Sequence, residues 1–147
     1  MRAVVQRVST ASVRVDGHEI AAIGSGLLVL LGVAEGDAAE DADRLADKVR
    51  ALRVFDDDAG RMNEPLGDRD VLCVSQFTLL GDARKGNRPS YVRAARPQDA
   101  EPLYARFCDR LDARRGEFGA RMEVESVNDG PVTLILELPP SAAGDPA

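Results

Sequence analysis

Val71-Leu72-Cys73-Val74-Ser75-Gln76-Phe77-Thr78-Leu79 changes character in mid-run. Its first four residues are apolar and read as a strand covered on both faces. The next four place a hydroxyl, an amide and a second hydroxyl around one aromatic ring. Polar side chains at the end of a covered strand cost a few kcal/mol each unless they are hydrogen-bonded. The stretch is therefore either satisfied by its neighbours or shaped to hold a ligand. Near the C-terminus, Asn128-Asp129-Gly130-Pro131-Val132-Thr133 interrupts two further strand-like runs with residues that permit unusual backbone angles, and it is the expected partner of the polar cluster.

Outward from these two segments the pattern is regular. Alternating runs predict strands over 2–8, 12–15 and 18–23, the last two joined by the tight-turn dipeptide Asp16-Gly17. Glycines bound the unbroken apolar run 27–33, which predicts a strand buried on both faces. Asp37 is the expected cap of a helix over 38–53, with Ala42, Leu45, Ala46, Val49 and Leu52 on its inner face. A second helix is predicted to begin near Pro97, with Leu103, Phe107 and Leu111 as its buried stripe. Strands over 120–127 and 132–138 close a single domain spanning 1–138, and the Pro/Ala/Gly-rich tail 139–147 is expected to lack order.

The bulk composition narrows the function. With 147 residues, 44% hydrophobic and 30% charged, the chain suits one soluble domain with a real core. No apolar run approaches the roughly 18 residues a membrane span needs. Gln6 and Arg7 break the apolar run that a secretory signal would require, so a cytoplasmic address is expected and no membrane partner. Cys73 and Cys108 sit among apolar residues and read as core thiols. His18 is the single histidine, which argues against a Ser-His-Asp triad and against a His-based metal centre. Asp56-Asp57-Asp58 precedes Ala-Gly and reads as turn chemistry, so no carboxylate metal site is expected there.

The net charge of −6 argues against a general nucleic-acid coat protein, and no DNA partner is expected. The charge is segregated, however. Arg84, Lys85, Arg88, Arg93 and Arg96 fall within 83–98 with no acid among them, leaving everything else at −11. Such an island either grips one phosphate-rich end of a ligand or is a solvated loop paired to acidic neighbours.

Four strings in order carry a resemblance: Val74-Ser75-Gln76-Phe77-Thr78-Leu79, Lys85-Gly86-Asn87-Arg88-Pro89-Ser90-Tyr91, Phe118-Gly119-Ala120-Arg121-Met122, and Val127-Asn128-Asp129-Gly130-Pro131-Val132-Thr133. Together with Gln6-Arg7-Val8 and the run 26–33, they resemble the D-aminoacyl-tRNA deacylase family over about residues 1–138. The segments 64–70 and 112–116 look shorter than in typical members, the second of them beside the expected adenosine pocket.

The resemblance implies an α+β fold, a barrel-like antiparallel sheet with two packed helices, working as a homodimer whose sites lie between subunits. It implies cleavage of the ester in D-aminoacyl-tRNA, with glycyl-tRNA also accepted. It further implies a cis Gly130-Pro131 peptide that enters the partner's site and excludes L side chains by clash. Arg7 would hold that segment, and Asn128 would belong to it. Ser75, Gln76, Phe77 and Thr78 would line the pocket beneath the ester, with a main-chain N–H near Phe77 facing the developing oxyanion. Phe118 and Gly119 would receive the 3′-terminal adenosine, and the basic island the acceptor stem. The chemistry implied is RNA-assisted, through the terminal ribose 2′-hydroxyl and water, with no metal and no organic cofactor needed. Two other readings stand beside it: a catalytically silent RNA-end binding module, and a general hydrolase with Thr78 as nucleophile.

Overall fold

The computed structural model describes residues 1–139. Among these described residues, eight strands, two α-helices and one 3-10 turn follow one another. The first strand, β1 (Arg2–Val15), is a single long ribbon where the sequence suggested two pieces. It turns at Asp16-Gly17 into β2 (His18–Ile23) and continues to β3 (Gly26–Gly32). Helix α1 (Ala39–Ala51) follows, then the small hairpin β4 (Phe55–Asp56) and β5 (Met62–Glu64). Strand β6 (Asp70–Ser75) leads into a 3-10 turn (Phe77–Leu80), and helix α2 (Pro97–Leu111), β7 (Arg114–Arg115) and β8 (Glu123–Glu137) complete the order.

The sheet is mixed, which corrects the antiparallel expectation. β1 pairs antiparallel with β2, β3 and β8, but β3–β6 and β6–β7 are parallel. The physical reason lies in the connections. Parallel neighbours need a long crossover, usually helical, and α1 spans β3 to β6 as α2 spans β6 to β7. β2 curls toward β6 and β7, and the Arg114 guanidinium donates to the Ala22 carbonyl, so the sheet comes close to closing as a barrel.

Two cores occupy the two faces of this sheet. Alternation sends Leu27, Val29 and Leu31 of β3 toward the helices, where they meet Leu45 and Val49 of α1 and Phe107 and Leu111 of α2. Leu28 joins Val8, Val13, Ile23, Leu72 and Val74 on the inner face. The all-apolar run is thus buried on both faces, as its sequence predicted. Cys73 and Cys108 are free and buried in this core, and burial pushes the Cys73 thiol up. Tyr104 Oη donates to the Cys73 carbonyl at 2.8 Å, tying α2 to β6. Exposed bidentate pairs, Arg106 with Asp43 and Arg110 with Asp47, lace the outer sides of the two helices.

Asp37 does not cap α1. Its carboxylate is drawn to a full positive charge, the Met1 ammonium at 3.0 Å, and to the Ala34 N–H at 2.7 Å. Ala38 takes the cap position, and buried Asp41 reaches back to its N–H at 2.7 Å. The reciprocal half of a capping box survives, displaced by one residue. The expectation for the tail falls almost wholly on 140–147, outside the described residues.

Candidate active site

β6 ends at Ser75, and Gln76 leaves the extended region, so Phe77, Thr78 and Leu79 belong to a 3-10 turn and not to the strand. The turn forms because Gln76 N–H still bonds the Leu31 carbonyl of β3 at 2.7 Å while Leu79 and Gly81 N–H groups fold back onto the Gln76 and Thr78 carbonyls. Phe77 and Thr78 open this turn, so their own N–H groups have no partner inside it. Beside it lies a cavity of about 530 Å³ lined by Ser75, Gln76, Phe77, Tyr91, Phe118, Gly119 and Met122, with Val33, Val74 and Ala95 among its apolar walls. That size and its mostly apolar lining with a few polar groups at one end fit a small-molecule or nucleotide pocket. Phe118 packs on Tyr104, rings 5.8 Å apart, and is anchored on the helix-side core while still facing the cavity.

Five predicted residues therefore converge: Ser75, Gln76, Phe77, Phe118 and Gly119. Thr78 is exposed and outside the lining, its Oγ1 accepting from Gln76 Nε2 at 2.5 Å. Tyr91 and Met122, quoted within the motifs, were not singled out as site residues. Tyr91 was legible as the one aromatic within the cationic stretch 83–98.

The second predicted cluster is built on β8. Gln6 pairs with Thr133 and Val8 with Asn128, so the single residue Arg7 of β1 faces the four residues Asp129 to Val132 of β8. The surplus loops out as a wide bulge within one continuous strand, where the sequence suggested a turn between two. Asn128 closes its neck: Nδ2 donates to Thr133 Oγ1 at 3.0 Å, and Oδ1 accepts from Val132 N–H at 3.2 Å. Arg7 fills the space beneath. Its Nε donates to the Asp129 carbonyl at 3.0 Å and its Nη1 to the Val54 carbonyl at 2.8 Å, with Asp56 at 3.5 Å. The Arg7 side chain is 12% exposed, not a solvent-facing strand arginine. Gly130-Pro131 is cis, and both residues are exposed at the crest.

The two clusters do not meet within one chain, contrary to the expected pairing of the polar strand end with the Asn128 segment. Counted along the sheet path β8–β1–β3–β6, three strand spacings, roughly 14 Å, separate the bulge from β6, and it is Val124, near the start of β8, that reaches the cavity lining. Arg7 also aligns with Leu27, and Ser75 with Leu31, a further four residues or roughly 13 Å along the strands.

The basic island splits as well. Arg84 is bidentate to Asp82, whose carboxyl it holds down at about 2, and Arg96 pairs with Asp99. Lys85 and Arg88 stand exposed at the loop's crown with no ion pair among the described residues. No group of three or more His, Cys, Asp or Glu suited to a metal occurs among the described residues, and no described helix is long and apolar enough to cross a membrane.

A strand-end cavity beside a 3-10 turn, with an aromatic wall and an exposed cationic loop near it, has the form of a small-molecule or nucleotide pocket, and comparison with known proteins makes the class specific. The family profile described as D-Tyr-tRNA(Tyr) deacylase matches residues 4–137, and the chain belongs to that family, a family of hydrolases. A D-aminoacyl-tRNA deacylase of Anaeromyxobacter dehalogenans (strain 2CP-C) is 58% identical over 144 residues, covering 93% of this chain and 97% of that one. Among solved structures, one titled c-Myc DNA Unwinding Element Binding Protein superposes with a TM-score of 0.89 at 42% identity, covering 95% of this chain and 99% of the other. Another, titled as a probable eukaryotic D-amino acid tRNA deacylase, matches with a TM-score of 0.78 over 93% of this chain and 98% of its own. At 17% identity that likeness concerns the fold alone.

Proposed function

We propose that this chain hydrolyses the ester of D-aminoacyl-tRNA as a homodimer, each site being completed by the Gly130-Pro131 bulge of the other subunit. The observation that carries this reading is the separation described above. A four-residue bulge is held outward by Arg7 and Asn128, and none of its residues lines the cavity beside β6. A crest so supported is suited to enter a second chain. Ile135 at 70% and Val127 at 56% exposure, on the same strand, give such a contact apolar surface.

In this reading the terminal adenosine lies against Phe118 and Gly119, and the ester carbonyl reaches the turn where the Phe77 N–H stabilises the oxyanion. One such donor is worth about 10²- to 10³-fold in rate. Gln76 orients the Thr78 hydroxyl through its 2.5 Å bond, so Thr78 positions and does not attack. Water, directed by the ribose 2′-hydroxyl, supplies the nucleophile. The rigid carbonyls of the partner's crest bind the substrate amino group and leave no room for an L side chain. Glycine has no side chain to reject, so glycyl-tRNA is also cleaved. Lys85 and Arg88 meet acceptor-stem phosphates, and the enzyme acts in the cytosol on charged tRNA.

The test is hydrolysis of D-tyrosyl-tRNA beside L-tyrosyl-tRNA and glycyl-tRNA by the purified protein, with sedimentation to read its oligomeric state. Cleavage of the D and glycyl substrates by a dimer is expected. Cleavage of the L substrate at a comparable rate, or full activity from a monomer, would overturn the filter and the shared site.

A further inference from the structure

Tyr91 stands where the cavity meets the cationic loop, and its ring is held there by its surroundings. Asp82 and Ser90 exchange two backbone hydrogen bonds, both 2.8 Å, that close the base of the loop directly before Tyr91. On its other side, the Glu35 N–H donates to the Arg93 carbonyl at 2.9 Å and the Ala95 N–H to the Val33 carbonyl at 3.0 Å, fixing the segment against the end of β3. The ring meets Phe77 edge-on, centroids 5.2 Å apart at 70°. It also lies over Gly81, where an added Cβ would come within 2.9 Å of both Tyr91 Cε1 and the Thr78 carbonyl oxygen, so a side chain there would force the ring or the turn to shift. Even so, Tyr91 remains 39% and Phe77 55% exposed. Two adjoining aromatics left open beside a polar turn are poor core and good platform, since nucleobases stack on such rings whatever their sequence.

Resting on the reading of the cavity as the terminal-adenosine site, we infer that Tyr91 is a positioning residue that stacks the base preceding that adenosine. A strand whose last base is in the cavity and whose phosphates run toward Lys85 and Arg88 must cross the segment on which Tyr91 stands. Stacking there sets the angle at which the ester arrives at the Phe77 turn. It also gives the enzyme a grip on the single-stranded end that a lone nucleoside cannot supply.

The experiment compares two small substrates, the D-tyrosyl ester of adenosine and that of the cytidylyl-adenosine dinucleotide, in the wild-type protein, Tyr91→Leu and Tyr91→Phe. Wild type should show a lower KM for the dinucleotide. Leucine keeps apolar bulk and removes the ring, and should shrink that preference by about tenfold, the usual yield of one base–aromatic stack. Phenylalanine should keep it. A Tyr91→Leu protein that moves KM and kcat for both substrates alike, preserving the ratio, assigns Tyr91 to packing and overturns the inference. So does wild type that cleaves both substrates without preference. Wild type that cleaves neither these esters nor D-aminoacyl-tRNA overturns the proposed function itself, and the inference with it.

Discussion

Replacing Gly130 with alanine tests the bulge most directly, because the structure shows what the added methyl would meet. Gly130 has φ of +131°, a region that L side chains rarely adopt. An added Cβ would lie 2.8 Å from Val132 Cγ2, 3.0 Å from Val132 N and 3.1 Å from Arg7 Nη2. The backbone strain alone costs about 1–3 kcal/mol. Relief requires either the crest or Arg7 to move, and Arg7 is anchored at both ends, on the Asp129 and Val54 carbonyls. Losing one of these charge-assisted bonds costs about 1.5–3 kcal/mol. The crest is exposed and gives way more cheaply, so the lower part of the combined range, about 2 kcal/mol, is expected. For a chain of this size that is a fall in Tm of roughly 4–8 °C. Calorimetry of Gly130→Ala, Arg7→Ala and the double variant forms a cycle in which the two effects overlap, because the residues touch. Under the proposed function Gly130→Ala also lowers D-tyrosyl-tRNA cleavage in trans, in mixtures with a pocket-defective chain. An alanine variant with wild-type Tm and undiminished D-specific turnover would refute both the packing argument and the placement of the crest in the site.

Lys85→Ala and Arg88→Ala together should flatten the dependence of log Kd for tRNA on log salt by about 1.4–1.8, the slope of two released counterions, whereas Arg84→Ala, already neutralised by Asp82, should change it less; equal effects from all three would show that the loop's ion pair is not maintained. Thr78→Val should reduce kcat by roughly tenfold through the lost Gln76 bond, and a fall of 10⁴-fold or more would instead mark Thr78 as a nucleophile. Asp82 should titrate near 2 when its carboxyl carbon is followed by NMR, since Arg84 favours the charged form over the ordinary 3.8. The sign follows: with the folded value depressed, the pair's contribution is complete above 3.8 and is lost as pH falls through about 2. A midpoint at the ordinary carboxylate value would remove the Asp82–Arg84 anchor.

Much of the fold was legible because local physics and tertiary demand agree in it. The run 27–33 is apolar at every position but its glycine, and a strand between two cores needs that. The inner faces of α1 and α2 show helical spacing, and Pro97 opens α2 as its fixed φ favours. Asp37 misled because a helix cap and an ion pair draw on the same carboxylate, and which of them prevails depends on where Met1 lies in space.

Residue types, their order and the charge segregation were properties of the chain itself; they marked the polar end of the Val71–Leu79 run, and the motif resemblance they carry named Ser75, Gln76, Phe77, Phe118 and Gly119 as site residues. Beyond the Asp16-Gly17 hairpin, strand neighbours were not legible. Parallel pairing of β3 with β6, and the merging of two predicted strands into β8, depend on contacts between residues far apart in sequence, which periodicity does not encode. The same holds for the bulge. The mismatch of one residue on β1 against four on β8 exists only once the two strands are in register, and it is this tertiary fact that sets Gly130-Pro131 at a crest, apart from the cavity beside β6.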